Sequence, residues 1–242
     1  MSTTESPLSG LVNLRDLGGQ PVSDGVVTRT GVVYRSDAPH DGDREPEVVP
    51  EWPPAVVIDL REPAELSGAV HPLAGIAEVR PMALLAGIDP TAEAEDGDHE
   101  LTAMYRAILR QAGERVAEVF RIALAAEGPV LVHCAAGKDR TGVISALLLS
   151  AAGVREDAIV ADYVRTDRNM YRVLQRLDVA PELPPGVDEE DVMQLASTPV
   201  DAIEAVLACF AEHPDQAAGW LRAHGVTEAE LQRWRERFLT EA

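Results

Sequence analysis

The chain has 242 residues, 46% of them hydrophobic, and a formal net charge of −20 at pH 7. This length and hydrophobic content suit a single domain, residues 1–242, with one sizeable core. The negative charge disfavours nucleic acid and anionic membrane surfaces as bulk partners, so a binding site for any anion must be a local positive island.

The first part of the chain predicts short strands separated by turns. Residues 18–19, two glycines, predict a turn, and residues 32–34 predict a short strand. Residues 41–51 are acidic and contain proline, which is typical of a solvated loop or helix. A continuous apolar run at residues 55–58 then predicts a strand that is buried on both faces of a sheet.

The next stretch predicts a strand, a polar loop and two helices. Residues 77–80 predict a weaker strand, and residues 86–100 carry almost nothing apolar, which is typical of a flexible surface loop. Apolar residues then recur at helical spacing, so two segments each present one face to the core. These positions are Leu101, Met104, Tyr105, Ile108 and Leu109 in the first segment, and Val116, Val119, Phe120 and Ala123 in the second.

A very apolar run at residues 129–132 leads to Cys134, and Arg140 and Thr141 open an Ala/Leu-rich segment that ends at Gly153. This pattern predicts a strand, a tight loop and a helix. Such a loop wraps backbone N–H groups around one point at a helix N-terminus, where an anion is favoured. The same field stabilises a thiolate, so Cys134 is predicted to be a nucleophile.

Each polar residue of this loop suits one task in phosphate chemistry. Arg140 presents a planar fork of donors for two phosphate oxygens, and Thr141 would hydrogen-bond the sulfur. His133 would orient the loop and lower the pKa of the thiol. Lys138, the only lysine in the chain, would add a point charge. The residues expected to bind the phosphate are Ala135, Ala136, Gly137, Lys138, Asp139 and Arg140.

Two aspartates compete for the role of general acid. The chemistry needs a carboxyl group that is protonated when the leaving oxygen departs and ionised when water attacks. Asp139 lies beside Arg140 in the loop. Asp59 ends the strand at residues 55–58, and it would emerge near Cys134 because the carboxyl ends of parallel strands meet at one edge of a sheet. This reasoning leaves both candidates open.

Three other residues have structural explanations. Arg15 and Arg35 would either reach the phosphate or tie loops together through ion pairs and hydrogen bonds, and the second role is favoured. Cys209 lies in an Ala/Val/Leu helix and is expected in the core. No disulfide with Cys134 is expected.

Helical patterns fill the chain from residue 156 onward, and nothing in them carries chemistry. The helix at residues 156–165 contains Asp162 and Tyr163, which are expected to be structural. Later helices are marked by N-terminal signals, namely Thr198 with Pro199, Pro214, and a capping box of Thr227 and Glu230.

The stretch His133-Cys134-x5-Arg140-Thr141 resembles the signature of the cysteine-dependent protein tyrosine phosphatases. Its fuller form, HCAAGKDRTG, together with NLRDLGG at residues 13–19, is similar to the bacterial tyrosine and phosphoinositide phosphatases of that superfamily. The resemblance implies an α/β protein tyrosine phosphatase-like fold, in which a central, mostly parallel sheet is flanked by helices and followed by a helical C-terminus. It also implies a phosphocysteine intermediate on Cys134, with no metal and no cofactor.

The resemblance bears on two further features. Many members of the superfamily carry the general acid in a Trp-Pro-Asp loop, but this chain has Trp-Pro-Pro at residues 52–54, so the acid is expected at Asp139 rather than Asp59. Residues 167–195 are expected to form a helical lid insertion over the pocket, with packing on the main core as the alternative. The histidines outside the loop, His40, His71, His99, His213 and His224, show no ligand spacing.

The predicted function is hydrolysis of phosphate monoesters, with phosphotyrosine in proteins as the leading substrate. A phosphoinositide or dual-specificity phosphatase would use the same mechanism, so a phospholipid is the alternative substrate. A phosphate-binding adaptor without turnover is the non-enzyme alternative. A rhodanese-like sulfurtransferase is disfavoured because its loop ordinarily lacks the Cys-x5-Arg-Thr pattern.

The expected location is the cytoplasm. Residues 1–10 lack a basic segment followed by an apolar one, and no run approaches the roughly eighteen apolar residues of a membrane span. We therefore expect no stable membrane insertion. Export by a route that needs no signal peptide is the alternative.

Overall fold

The computed structural model describes residues 10–23, 25–66, 68–95, 99–178 and 200–242. Its larger sheet contains β1 (Arg15–Asp16), β4 (Val33–Ser36), β5 (Val56–Asp59), β6 (Glu78–Pro81) and β7 (Val130–His133). The strand order is β1-β4-β7-β5-β6, in which β1 pairs antiparallel with β4 and all other pairs are parallel. The predicted mostly parallel sheet is confirmed.

The inner strands bring polar residues to one edge of this sheet. Every residue of β4, β5 and β7 is buried, as their apolar sequences require when both faces of a sheet are covered. The register places Ser36 and Asp59 on either side of His133. Three polar strand ends therefore lie together, directly before the loop that begins at Cys134.

Helices flank the sheet. They are α1 (Glu100–Gln111), α2 (Gly113–Ala125), α3 (Asp139–Ala152), α4 (Glu156–Val164), α5 (Met170–Arg176), α6 (Val200–Ala211), α7 (Ala217–Ala223) and α8 (Glu228–Phe238). The central helix is α3, which is buried from Arg140 to Ala152 and packs against α1, α2, α4, α6, α7 and α8. Its apolar residues lie on all sides, as expected of a helix that is surrounded by others. No helix in the described ranges is long and apolar enough to cross a membrane.

The end of the chain differs from the predicted helical C-terminus. Helix α8 has the predicted capping box of Thr227 and Glu230 but ends at Phe238. A strand β8 (Leu239–Glu241) then pairs with β3 (Val26–Thr28), which pairs with β2 (Pro21–Ser23), to form a second sheet. This pairing joins distant parts of the chain, so a local helical pattern could not reveal it.

Residues 86–95 of the acidic segment at residues 86–100 are more ordered than predicted. A 3₁₀ helix spans Pro90–Glu93, and Asp89 accepts a hydrogen bond from the Thr91 N–H at its start. Arg110 of α1 forms an ion pair with Glu93 at 3.0 Å. Contacts with α1 thus hold the short helix Pro90–Glu93, which has no large apolar side chain of its own.

Only the start of the predicted lid, residues 167–195, falls within the described residues. A 3₁₀ helix, Asp167–Asn169, leads into α5, whose Met170, Tyr171 and Val173 are buried. Arg176 forms ion pairs with Asp37 at 2.7 Å and with Asp43 at 2.8 Å. This first part packs on the main body of the domain. Residues 179–195 lie outside the described residues, as do Thr198 and Pro199, so the lid stays a prediction.

Candidate active site

The predicted strand, loop and helix around Cys134 are all present. Strand β7 ends at His133 and α3 begins at Asp139, so the loop between them lies at the N-terminus of a buried helix. Cys134 is buried. Gly137 has φ +69, and a Cβ atom there would lie 2.1 Å from the carbonyl oxygen of Ser36. Only glycine fits at this position, because both the conformation and the close approach exclude a side chain.

The carbonyl groups in the first half of the loop have partners outside it. The Cys134 carbonyl oxygen lies 3.1 Å from Nδ1 of His133. The Ala135 carbonyl accepts a hydrogen bond of 2.9 Å from the N–H of Ala38, just beyond β4. The first two peptide units are therefore held in fixed orientations by the two strands that flank the loop.

Asn13 and Arg35 hold the second half of the loop. The side-chain amide of Asn13 donates to the carbonyl oxygens of Ala136 and Gly137 at 3.1 and 3.2 Å. The guanidinium of Arg35 donates to the carbonyl oxygens of Gly137 and Lys138 at 2.8 and 3.4 Å. Both side chains contact the outside of the loop.

These contacts determine what the inside of the loop presents. A trans peptide unit directs its N–H group opposite to its carbonyl group. Since the carbonyl groups of residues 134–138 are held on the outside, the N–H groups of residues 135–139 are directed inward. A set of converging donors at the positive end of a helix dipole is a binding site for a tetrahedral anion.

A buried ion-pair cluster supports Asn13 and Arg35. Asp162 of α4 accepts hydrogen bonds of 2.7 Å from both Arg15 and Arg35, and Arg15 also donates to Oδ1 of Asn13 at 2.7 Å. Burial, together with the nearby Arg35, lowers the pKa of Arg15 to about 10. Burial alone would raise the pKa of Asp162, but the two guanidinium groups hold it below its usual value. Arg15, Arg35 and Asp162 are thus structural, as the sequence favours.

Arg140 is fixed by an acidic partner that the sequence did not predict. Its Nη2 donates to Oε1 of Glu65 at 2.8 Å, its Nη1 donates to the other oxygen of Glu65, and Nη1 also donates to the Leu60 carbonyl at 3.1 Å. Burial alone would lower the pKa of Arg140, but Glu65 and the nearby Cys134 raise it above its usual value. The guanidinium therefore stays charged and oriented near Cys134.

Asp139 has a different environment from the other carboxylates at the site. It is half-buried as the first residue of α3, and its Oδ1 accepts a hydrogen bond of 2.7 Å from the Tyr105 hydroxyl. The Tyr105 hydroxyl is in turn 2.8 Å from the Tyr163 hydroxyl. Both partners are neutral phenols, so no cation compensates this carboxylate within the network.

A comparison with models of protein families identifies the family of the whole chain. The model of the tyrosine phosphatase family matches residues 6–240, which includes the Cys134 loop and nearly the whole chain. The chain belongs to the tyrosine phosphatase family. The resemblance drawn from the loop motif is confirmed.

Named relatives agree with this assignment. The chain is 36% identical over 124 residues to the triple specificity protein phosphatase PtpB of Mycobacterium tuberculosis, a match that covers 46% of this chain and 44% of PtpB. It is 35% identical over 122 residues to a tyrosine-protein phosphatase of Nostoc commune, covering 48% of this chain and 41% of that protein. The chain spans less than half the length of these curated relatives. A crystal structure of P. aeruginosa TpbA aligns with 80% of this chain and 98% of that chain, at 20% identity and a TM-score of 0.28.

Within this family member, a chain of hydrogen bonds reaches the Cys134 peptide from a histidine outside the loop. The Leu73 N–H donates to Nδ1 of His71 at 3.1 Å, so the proton of a neutral His71 ring lies on Nε2. That Nε2 is 3.0 Å from Nε2 of His133, which must then accept, leaving Nδ1 of His133 to donate to the Cys134 carbonyl. Burial lowers the pKa of His133 to about 4. His133 is therefore neutral at pH 7 and orients the loop through this tautomer.

Asp59 lies next to this histidine pair but is bound to Arg61. The guanidinium contacts the carboxylate at 2.9 and 2.7 Å, and Nε2 of His133 is 3.8 Å away. Burial would raise the pKa of Asp59, but Arg61 and His133 hold it below its usual value. A pocket of about 500 Å³ opens here, lined by Asp59, Arg61, Glu65 and His71 among others.

Asp59, His71 and His133 also bring potential metal-ligand atoms within 4.8 Å of one another. No sequence pattern predicts this cluster, because His71 lies far from the loop along the chain. The donor set does not suit a metal, since Nε2 of His71 carries a proton and Arg61 already occupies the carboxylate. The cluster is a hydrogen-bonded support for the loop.

Two expected contacts of the loop differ in the structure. Thr141 does not hydrogen-bond the sulfur: its hydroxyl is buried and has no hydrogen-bond partner among the described residues. Lys138 is buried and forms an ion pair of 3.2 Å with Asp167, so its charge is not a free point charge. Sequence motifs place these residues at the loop but do not specify their partners.

The residues that the sequence reasoning missed are Glu65, His71 and Tyr105. Glu65 and His71 belong to irregular segments after β5 that lack a periodic pattern. Tyr105 lies on the apolar face of α1, where its ring was correctly expected in the core. Its buried hydroxyl was the available signal, because such a group requires a polar partner.

Proposed function

We propose that this chain hydrolyses phosphate monoesters, with phosphotyrosine in proteins as the substrate, through a phosphocysteine intermediate on Cys134. The observation that carries the proposal is the outward anchoring of every carbonyl group from Cys134 to Lys138. The inward N–H groups would bind the non-bridging phosphate oxygens directly in front of the sulfur, and the charged Arg140 would bind two of them.

In the first step, the Cys134 thiolate attacks phosphorus and the bond to the ester oxygen breaks. A carboxyl group transfers its proton to the leaving oxygen, so that a neutral alcohol departs. In the second step, the same group, now a carboxylate, takes a proton from water as the water oxygen attacks phosphorus. The S–P bond breaks, and inorganic phosphate and the thiolate are released.

We assign the acid role to Asp139 rather than Asp59. The acid must carry a proton in the first step. Arg61 stabilises the ionised form of Asp59 and keeps its pKa below the usual value, which opposes protonation. Asp139 receives only a hydroxyl hydrogen bond, which suits either protonation state of a carboxyl group.

The charges around the pocket favour a protein substrate over a polyphosphorylated lipid. Asp41, Asp59 and Glu65 line the adjoining pocket, and the only lysine, Lys138, is paired with Asp167. Arg61 also lines this pocket, but the three carboxylates outnumber it, so further phosphate groups on an inositol ring would face a net negative lining. A phosphotyrosine side chain brings one phosphate and a neutral ring, so it avoids this repulsion.

The experiment measures release of inorganic phosphate in the presence of a chelator from a phosphotyrosine peptide, a phosphoserine peptide and a phosphoinositide. Wild type is compared with Cys134→Ser, and Cys209→Ser is the matched control because Cys209 is also buried but lies in α6. We expect wild type and Cys209→Ser to hydrolyse the phosphotyrosine peptide fastest and Cys134→Ser to be inactive.

Each other outcome has a definite meaning. Equal activity of Cys134→Ser would overturn the phosphocysteine mechanism. Faster turnover of the phosphoinositide or the phosphoserine peptide would replace the substrate assignment and keep the mechanism. Absence of turnover by wild type, with tight binding of the phosphopeptide, would make the chain a phosphate-binding adaptor.

A further inference from the structure

We propose that Tyr105 is a positioning residue for the general acid: its hydroxyl holds Asp139 and decides which carboxyl oxygen delivers the proton. This inference rests on the proposed function, because it requires Asp139 to be the acid. It adds a residue from α1, outside the phosphatase motif, to the reaction.

The three side chains form one hydrogen-bonded line across three helices. Tyr105 of α1 donates to Oδ1 of Asp139 at 2.7 Å, and Tyr163 of α4 lies 2.8 Å behind it. The two rings meet edge to face, with centroids 6.4 Å apart and an interplanar angle of 90°. Both tyrosines are buried, so the line is shielded from water up to the carboxylate.

The direction of these hydrogen bonds follows from the number of protons. An ionised Asp139 can only accept, so Tyr105 must use its single proton on Oδ1, and Tyr163 must donate to Tyr105. Burial and the nearby Asp139 raise the pKa of Tyr105 far above its usual value, so Tyr105 keeps this proton. When Asp139 is protonated, Tyr105 as donor favours the carbonyl oxygen at Oδ1, since this is the better acceptor, and the proton then lies on Oδ2.

Tyr105 therefore selects the reactive oxygen. The hydrogen bond from Tyr105 engages Oδ1 of Asp139, which leaves Oδ2 as the oxygen that would deliver the proton. Without the Tyr105 hydroxyl, the carboxyl group could turn, and the proton could lie on either oxygen. A misplaced acid loses rate even when its chemistry is intact.

A glycine of the sequence motif, Gly142, allows Tyr163 to pack closely against α3. Gly142, one turn into α3, would bring a Cβ atom to 2.9 Å from the ring of Tyr163. Glycine inside a helix is unfavourable relative to alanine, so its presence here needs a reason. Close packing of Tyr163 against α3, directly behind the hydroxyl of Tyr105, supplies one.

The test uses aryl phosphates whose leaving phenols differ in basicity. A general acid matters for a strongly basic leaving group and hardly matters for an acidic phenol that leaves without a proton. Because hydrolysis of the phosphocysteine is common to all substrates and enters kcat, the measured quantity is kcat/KM, which reports the step in which the phenol leaves. We expect Tyr105→Phe to lower kcat/KM about 30-fold with the most basic phenol and less than about threefold with the most acidic one. Asp139→Asn is the reference and should show the same trend with a larger amplitude.

Tyr163→Phe is the matched control, because it removes a buried hydroxyl from the same line but leaves the bond between Tyr105 and Asp139. It should change kcat/KM less than about threefold for every phenol. In an Asp139→Asn background, Tyr105→Phe should add little, since the two side chains act as a unit.

Two results would overturn the inference in distinguishable ways. If kcat/KM of Asp139→Asn depends on the leaving group but kcat/KM of Tyr105→Phe falls by the same factor with every phenol, Tyr105 is merely structural while the acid assignment stands. If Asp139→Asn shows no dependence on the leaving group, the acid assignment fails and takes the role of Tyr105 with it.

Discussion

Two aspartates flank the Cys134 loop, and the structure gives them opposite surroundings. Asp59, at the end of β5, accepts hydrogen bonds from two nitrogen atoms of the Arg61 guanidinium. Asp139, at the start of α3, is bound by the neutral hydroxyl of Tyr105. Asp59 lies at the edge of the sheet, as the sequence predicts, and Asp139 begins the helix that follows the loop. The two carboxylates differ in the charge of their hydrogen-bond partner.

The comparison shows that the partner of a carboxylate decides its role more than its position does. A guanidinium stabilises the ionised form alone, and it keeps the pKa of Asp59 below its usual value. A hydroxyl can donate to a carboxylate or to the carbonyl oxygen of a carboxylic acid. The partner of Asp59 thus favours a structural role, and the partner of Asp139 is compatible with the proton transfer that we propose for it.

The largest expected effect is on the rate of Asp139→Asn. We expect kcat for a phosphotyrosine peptide to fall about 10²- to 10³-fold, the usual contribution of a general acid. Stability should change by less than about 1 kcal/mol, because one hydrogen bond to a half-buried group is altered. Steady-state kinetics and urea unfolding of the same preparation measure both. A rate within tenfold of wild type would remove Asp139 from proton transfer.

Asp59→Asn should show the reverse pattern. It leaves the Arg61 guanidinium without its charged partner in a largely buried place, so we expect the free energy of unfolding to fall by about 2 kcal/mol. Removal of Arg61 in the same protein, as Asp59→Asn with Arg61→Met, should restore about half of the loss. Urea unfolding of the single and double variants measures this. A kcat loss as large as that of Asp139→Asn would contradict the division of roles.

The next expected effect is a change of the free energy of unfolding with pH. It arises from His133, which lies next to Asp59. His133 has a pKa of about 4 when folded and about 6.5 when unfolded, so the unfolded chain binds a proton in this range that the folded chain does not. The free energy of unfolding should therefore fall as the pH falls from about 6.5, by about 1.4 kcal/mol for each unit.

Urea unfolding at pH 5.0, 5.8 and 6.5 would measure this slope, and NMR of the imidazole would follow His133 directly. His40→Asn, which removes an exposed imidazole, is the control and should leave the slope unchanged. A His133 titration centred near 6.5 in the folded protein would contradict the expected burial effect.

The outline of the fold and the core of the site could be predicted from sequence because both rest on local patterns. The apolar runs of β5 and β7 and the stripes of α1 and α2 report burial directly. The loop from His133 to Thr141 follows from a strand, a nucleophile and a helix start in sequence. The expectation that Asp139 rather than Asp59 is the general acid came from a missing motif and not from any feature of either residue, and it stays a prediction.

The sequence does not predict which distant side chain forms a hydrogen bond or an ion pair with each polar group. The hydrogen bonds between Arg140 and Glu65 and between Tyr105 and Asp139 join residues that are separated by 75 and 34 positions. β8 likewise depends on pairing between the two ends of the chain. Such contacts arise from packing in three dimensions, and no periodic pattern within one segment contains them.

The smallest expected effect concerns His71, which links the Asp59 side to the reactive loop. Its Nε2–H donates to His133, and this bond sets the tautomer that holds the Cys134 carbonyl outward. His71→Phe removes the donor but keeps a ring, and we expect kcat/KM to fall about fivefold, consistent with one lost hydrogen bond of about 1 kcal/mol. His71→Gln keeps an N–H donor near the position of Nε2 and should recover most of the activity. Equal losses in the two variants would show that the ring, and not the hydrogen bond, supports the loop.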